Sequence, residues 1–327
     1  MLEYQVVPAY KRQHYLPAVY LKEFSGDRKP TRNSLIWRYD GSLSRQVPVE
    51  SQCAEDYFYS KERPAEAEKV FHGMENLYPK FLARVKAKQN PTGYEYFGLI
   101  LMMLDLHLRG AAYLNETGGE GIAAYRMRFH AFKQQLLLGG LHESPTDDQV
   151  AEHLRACWRV RVLESVSGNQ FLTSDHPSAW ASLFRHRKQL DIVVLPLTPR
   201  FTAVAFDKRV VDVTTNCTTA EDEGRLNRCQ VVQALRAVYT SAELDAENRN
   251  WVGEIFAKKR QNKGQVNRNS WQATLLDGQH FREFSFLRSV TPELVNAGEI
   301  PRERPQLFAT ATAGCGAGRN GCARWAI

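Results

Sequence analysis

The 327-residue chain has no Walker loop, no GxGxxG, no HExxH and no GxSxG, so none of the short motifs that tie a spacing to a known chemistry applies. Its six cysteines, at 53, 157, 217, 229, 315 and 322, form no CxxC and no paired spacing. That argues against a zinc knuckle or a disulfide framework and for a reduced cytoplasm. Long apolar runs are missing too. The longest, YFGLILMML at 96–104, is cut off by Asp105, short of the ~18 residues a bilayer span requires. The start, MLEYQVVPAYKRQHY, lacks the apolar h-region of a signal peptide, so no export and no membrane segment are expected.

What is present suits a globular protein. Hydrophobic residues make up 43% and aromatics 11%, enough for a sizeable core in one large domain or two ordinary ones. The net charge of +7, with a pI near 9.1, tilts mildly toward a polyanionic partner, although such an excess is also common in proteins that bind none.

Periodicity divides the chain. SLIWRYD (34–40) reads as a strand, and Asp40-Gly41 turns it into a hairpin with SRQVPVES. From Pro64 to about Lys88, Ala67, Val70, Phe71, Met74, Leu77, Phe81 and Leu82 recur at helical spacing. After Asn90-Pro91-Thr92-Gly93, YEYFGLILMMLDLHLRGAAYL is apolar nearly all round and predicts a central buried helix. A third helix, about 121–138, turns Tyr125, Phe129, Phe132 and Leu136 inward and Arg126, Arg128 and Lys133 elsewhere. A fourth, capped by Thr146 or Asp147, runs into RACWRVRVLES. From 169 onward NQFLTSDHPS, LDIVVLPLTP and RFTAVAFDK predict strands, and the basic patch RHRK interrupts them at 185–188. AEDEGRLNRCQVVQALRAVYTS and ENRNWVGEIFAKKRQNK return to helix, and SWQATLLDG with HFREFSFLRS suggests a late hairpin. Beyond 300, ATATAGCGAGRNGCARWAI has no apolar period and predicts a disordered tail. The expected class is α+β, one domain over 1–299. A helix-rich part (about 64–165) packs on a strand-rich part (about 169–290) that carries a small mixed or antiparallel sheet.

Several separated segments, HYLPAVYLKEF, EDYFY, FGLILMMLDLHLRG, FLTSDHPS, VVLPLTPRFTAVAF and LNRCQVVQALRAVYTS, stand in an order that resembles the family called domain of unknown function 4238. The resemblance spans about residues 10–243, and its strongest pieces are HYLP and TSDHP. It implies no settled activity. Carried over position by position, the motif residues are His14, Tyr15, Pro17, Arg109, Ser174, Asp175, Pro177 and Asn227. The family usually shows a small polar residue where His176 stands, so that histidine takes no role from the resemblance.

Each candidate has a chemical and a structural reading. His14 suits a ligand or general base, or a hydrogen bond that fixes the Tyr15-Leu16-Pro17 turn just outside a helix N-terminus. Asp175 is expected at the exit of a buried strand, as an active-site carboxylate or in an Asx-turn closed by Pro177. Arg109 suits a phosphate clamp, or an intrahelical pair with Asp105. Asn227, with Gln230 on the same face, suits a substrate oxygen or a loop carbonyl. Glu50, Glu55, Asp56 and Glu75 are available to complete a carboxylate cluster with Asp175. The stretch 258–271, with Lys258, Lys259, Arg260, Lys263 and Trp271, suits a nucleic-acid backbone and a stacked base, or a solvated helix end.

Two functions are expected from these positions. The first is a cytoplasmic, bacterial-type phosphodiester hydrolase in which His14 and Asp175 hold Mg or Mn, Arg109 steadies the phosphate and Asn227 orients the substrate. The second is a non-catalytic module that binds nucleic acid, a nucleotide or a protein.

Overall fold

Capping chemistry sets the helix boundaries. Thr92, Thr146 and Thr219 each accept a bond from the amide three residues on, while Glu95, Gln149 and Asp222 reach back to the capping residue. These are reciprocal capping boxes that satisfy the exposed first-turn amides. They open α3 (Gly93–Leu108), α4 (Asp147–Cys157) and α5 (Ala220–Gln233). Pro64 opens α2 (Pro64–Lys86), where its missing N–H costs nothing. The short α1 (Ala18–Leu21) follows Pro17, and α6 (Ala246–Gln261) is the last helix among the described residues.

The computed structural model describes residues 12–109, 146–183, 190–261, 276–277 and 283–290, with Ile122, Tyr125, Arg126, Arg128, Phe129 and Phe132. All of them belong to one compact unit, Met1–Val290. The tail expected beyond 300, the RHRK patch, Leu136, Lys133, Lys263 and Trp271 lie outside the described residues.

Four sheets are present among the described residues. The largest is six-stranded and mixed. Its antiparallel centre is β5 (Trp158–Ser165), β9 (Phe201–Asp207), β8 (Ile192–Pro196) and β7 (Ala179–Ser182). At its edges β11 (Cys217–Thr218) and β13 (Leu276–Asp277) pair in parallel with β5 and β7. The second sheet runs β3 (Ser44–Pro48), β2 (Leu35–Tyr39), β12 (Val238–Thr240), β6 (Thr173–Ser174), all antiparallel. Two ribbons complete the set: β1 (Arg12–His14) with β4 (Ala54–Asp56), and β10 (Val211–Val213) with β14 (Leu287–Ser289).

The class is therefore α+β, with helices leading a strand-rich half, and the β2–β3 hairpin and the buried α3 stand where the sequence puts them. Four expectations are corrected. WRVRVLES does not extend α4 but forms β5, because its alternating Trp158, Val160 and Val162 follow a two-residue period. AVYT leaves α5 and becomes β12, held between β2 and β6. The last two strands make no hairpin, since β13 joins β7 and β14 joins β10. Arg128, expected to turn away from the inward face of its helix, is buried, as are Tyr125, Phe129 and Phe132.

One large core joins the opening segment to both halves. Tyr15, Leu16, Tyr20, Leu21 and Phe24 bury against Tyr78, Phe81, Leu82 and the apolar face of α3, each large side chain contributing about 1.5–3 kcal/mol. Polar ends are matched within it. The Tyr20 hydroxyl bonds Thr173 Oγ1 at 2.7 Å and donates to the Pro196 carbonyl at 2.8 Å, and Tyr78 donates to the Leu197 carbonyl at 2.8 Å. The helix that begins at Pro17 thus docks directly on the strands that frame Asp175.

Candidate functional site

The motif residues form two polar clusters. In the first, Arg109 caps the C-terminus of α3, fully buried, with acceptors on every side. Its Nη1 donates to Glu75 and Asp105, each at 3.0 Å, its Nε to the Tyr59 hydroxyl at 3.1 Å, and its Nη2 to the His14 backbone carbonyl at 2.8 Å. Asp105 also accepts from the Tyr125 hydroxyl at 2.9 Å. Burial raises the Asp105 pKa against the pull of Arg109. The guanidinium therefore holds the chain at His14, not the imidazole.

The His14 ring lies partly exposed beside this network. Its Nε2 meets the Glu50 carbonyl at 3.2 Å; a carbonyl only accepts, so Nε2 carries the proton. Burial lowers the His14 pKa, with the Glu50 bond opposing and Arg32 adding to the lowering. The ring is neutral at pH 7, and its Nδ1 has no protein partner among the described residues.

The second cluster gathers around α5, one face of which works as a row of clasps. Glu223 accepts from the Thr218 hydroxyl at 2.9 Å and from the Ser167 hydroxyl. Asn227 Oδ1 accepts the Leu172 amide at 2.8 Å, and its Nδ2 donates to the Gln170 carbonyl at 2.9 Å. Gln230 accepts from Ser174 Oγ at 3.1 Å and donates to the Pro177 carbonyl at 2.9 Å. Steps of four and three residues keep these side chains on one helical face, and together they fasten the strand-poor run 167–177.

Asp175 closes the same assembly from the other side. Its Oδ1 and Oδ2 accept the Leu235 and Arg236 amides, both at 2.9 Å, just past the end of α5. This is not a local Asx-turn, because the partners lie 60 residues away. The carboxylate is 1% exposed. Burial raises its pKa, and the backbone amides and Lys259 pull the other way. Lys259 itself caps α5, donating to the Val231 and Ala234 carbonyls at 2.7 and 2.5 Å. Burial draws its pKa down to about 8, with Asp175 opposing.

These positions decide which of the nominated residues meet. Arg109 meets the backbone of His14, Asn227 and Asp175 share the 170–177 run, and no bond joins His14 to Asp175. Of the four carboxylates considered, Glu75 pairs with Arg109, and Glu55 pairs with Arg236 above the Tyr15 ring; none bonds Asp175. Both Asp175 oxygens are taken by amides and His14 is held elsewhere, so the pair does not fit a shared Mg or Mn. Among the described residues no group of three His, Cys, Asp or Glu side chains could hold a metal ion. In the basic stretch Lys258 and Arg260 are exposed on α6, whereas Lys259 is turned inward.

An open groove lies on the outer side of the run that Asn227 holds. It has a volume of about 700 Å³, and Gly168–Gln170, Leu172, α5, the 240–245 loop and the start of α6 line it. Five of its residues, Glu221, Gly224, Arg225, Asn227 and Arg228, come from α5, and Asn248 and Trp251 come from α6. Only Asn227 among them was nominated from sequence. The signal that marked the rest was Gly224 inside an otherwise good helix, where glycine costs ~1 kcal/mol relative to alanine.

A family model described as a protein of unknown function (DUF4238) matches residues 12–243. The chain belongs to this family. No curated protein and no solved structure matches it. His14, Arg109, Asp175 and Asn227 of the DUF4238 chain, and the wall of the groove up to Glu243, fall inside the matched span, whereas the basic stretch from Lys258 lies outside it. Among the described residues no helix is long and apolar enough to cross a membrane.

Proposed function

We propose that this DUF4238 chain is a non-catalytic binding module, in which the polar motif residues build a frame and the groove beside α5 takes the ligand. The observation that carries the reading is the use of Asn227. Its amide is spent on the Gln170 carbonyl and the Leu172 amide, and the run so held is the groove wall. Asp175 and Arg109 are engaged by the fold in the same way. A cytoplasmic setting accords with it, since Cys53, Cys157, Cys217 and Cys229 are all free thiols.

One observation favours the metal-dependent phosphodiester hydrolase: the neutral, partly exposed His14 ring, with Nδ1 open to accept a proton. A degradation screen separates the two. Nucleotides and nucleic acids are incubated with Mg or Mn and the full chain, and wild type is compared with His14→Ala and Asp175→Asn, each checked for folding by circular dichroism. The binding reading expects no metal-dependent turnover. Turnover that a folded His14→Ala variant loses would overturn it.

A further inference from the structure

The groove's side chains differ in what remains available to a ligand. Its carboxylates are already answered: Glu221 by Arg225 at 2.7 Å, Glu243 by Arg249 at 2.7 Å, and Asp245 by the Asn248 amide and side chain at 2.8 and 3.0 Å. Arg225 is also claimed by Glu283. Gln170 Oε1 accepts from Ser241 at 2.5 Å. What is left, among the described residues, is the exposed Arg228 guanidinium, the Asn169 side-chain amide and the Nε2 donor of Gln170. Beside them stands Trp251, partly buried against the apolar cluster that contains Tyr39, Leu172 and Phe256, and lining the groove.

Gly224 sets the depth of the site. It lies on α5 one turn before Arg228, and a Cβ built there meets no atom within 4 Å. No packing contact therefore requires glycine, and the space above it belongs to the groove.

We infer that the groove binds a nucleotide, with the base against Trp251, its edge on Asn169 and Gln170, and a phosphate on Arg228. This rests on the binding reading above and names its ligand class. An indole offers a flat face to any base, primary amides match the donors and acceptors of a base edge, and a guanidinium forks onto phosphate oxygens. A neutral sugar would leave Arg228 without an answering charge. The same base-plus-phosphate chemistry comes either from a free mononucleotide or from the phosphorylated end of a single strand.

Calorimetry on the full chain, without metal, tests it with AMP, adenosine, maltose and a short single-stranded DNA with and without a 5′-phosphate. AMP is expected to bind about tenfold or more tightly than adenosine, the ratio one charge-assisted contact supplies. Arg228→Gln is expected to remove that difference. Gly224→Phe, which places a ring in open space, is expected to weaken AMP at least about tenfold, while Gly224→Ala folds at least as well as wild type. A strand end that binds more tightly than AMP identifies the strand as the source, and equal affinities identify the free nucleotide. Equal binding of AMP and adenosine, indifference to Arg228→Gln or Gly224→Phe, binding of maltose alone, or no binding at all overturns the inference. Those results leave the binding-module reading to the degradation screen, which measures turnover and not affinity.

Discussion

The Asn227 side chain lies across residues 170–172 like a neighbouring strand, accepting from the Leu172 amide at 2.8 Å and donating a hydrogen bond to the Gln170 carbonyl at 2.9 Å. Both halves of the amide are used, so the position demands a group that accepts and donates at once. Alanine would leave the part-buried Leu172 amide without an acceptor, at about 1–3 kcal/mol, while the exposed Gln170 carbonyl turns to water. Aspartate keeps the acceptor but turns a charge on the Gln170 carbonyl, and is expected to be no better than alanine. Urea denaturation of the two variants checks this; an unchanged midpoint in both would show the clasp to be dispensable.

Asp175 carries the corresponding load at the far end of α5. Asp175→Ala leaves the Leu235 and Arg236 amides without acceptors and removes the carboxylate that favours the Lys259 charge against its burial. A loss of about 3 kcal/mol is expected, from two part-buried amides left without their charged acceptor. Asp175→Asn keeps one acceptor and turns an NH₂ on the second amide, so an intermediate loss is expected. Equal stabilities for wild type and Asp175→Ala would return this aspartate to the list of residues kept for chemistry.

Arg109 differs because one guanidinium serves four acceptors on four separated parts of the chain. Lysine cannot span Tyr59, Glu75, Asp105 and the His14 carbonyl at once. Arg109→Lys is expected to cost about 2–4 kcal/mol, and Arg109→Met more, since Asp105 would remain buried without its partner. A double-mutant cycle with Asp105→Asn measures the coupling. A coupling energy near zero would mean that the ion pair is incidental to the stability of α3.

How much of this was legible in the sequence depends on the range of the interaction. The i,i+4 pair of Asp105 with Arg109, the Thr146 cap and the alignment of Asn227 with Gln230 follow from helical geometry and were readable. The partners of Asp175 were not, because they are backbone amides 60 residues on, in a turn whose amides look like any others in the sequence. Strand β12 was hidden for a related reason. AVYT continues the apolar spacing of α5, and only its place between β2 and β6 makes it extended. The groove as a whole was not legible because its walls come from four separated segments, and neither Asn227 nor Gly224 says in sequence which other segments it faces.

Acid sensitivity follows from the buried histidines. The His176 and His107 rings lie 5.1 Å apart, with Phe132 and Trp180 around His107. Burial lowers the His176 pKa to about 4, with Lys259 adding to it, and burial lowers that of His107 as well, with His176 adding to it. The unfolded chain, with histidines near 6.5, binds more protons than the folded chain between pH 6.5 and 4, so stability is lost as pH falls through that window. For His176 alone the loss is about 3 kcal/mol across it. Urea midpoints at pH 7 and pH 4.5 measure the slope, and His176→Phe is expected to flatten it. A variant as acid-sensitive as wild type would assign the effect to other groups.

Two glycines with nearly the same backbone separate strain from crowding. Gly41 and Gly168 have φ of +81° and +83°, left-handed values that cost an L-residue about 1–2 kcal/mol. At Gly168 a Cβ meets nothing within 4 Å, whereas at Gly41 it would lie 2.3 Å from Phe256 Cβ and 3.2 Å from the Arg260 guanidinium. Gly168→Ala is therefore expected to show the backbone cost alone. Gly41→Ala must also push the β2–β3 turn off α6, where Phe256 belongs to the same apolar cluster as Tyr39 and Val252. Its loss is expected to exceed that of Gly168→Ala by about 1–3 kcal/mol, the usual cost of overpacking. Equal losses in a denaturation series would mean that the hairpin and α6 adjust without resistance, and that the docking of α6 contributes little to holding Lys259 under the end of α5.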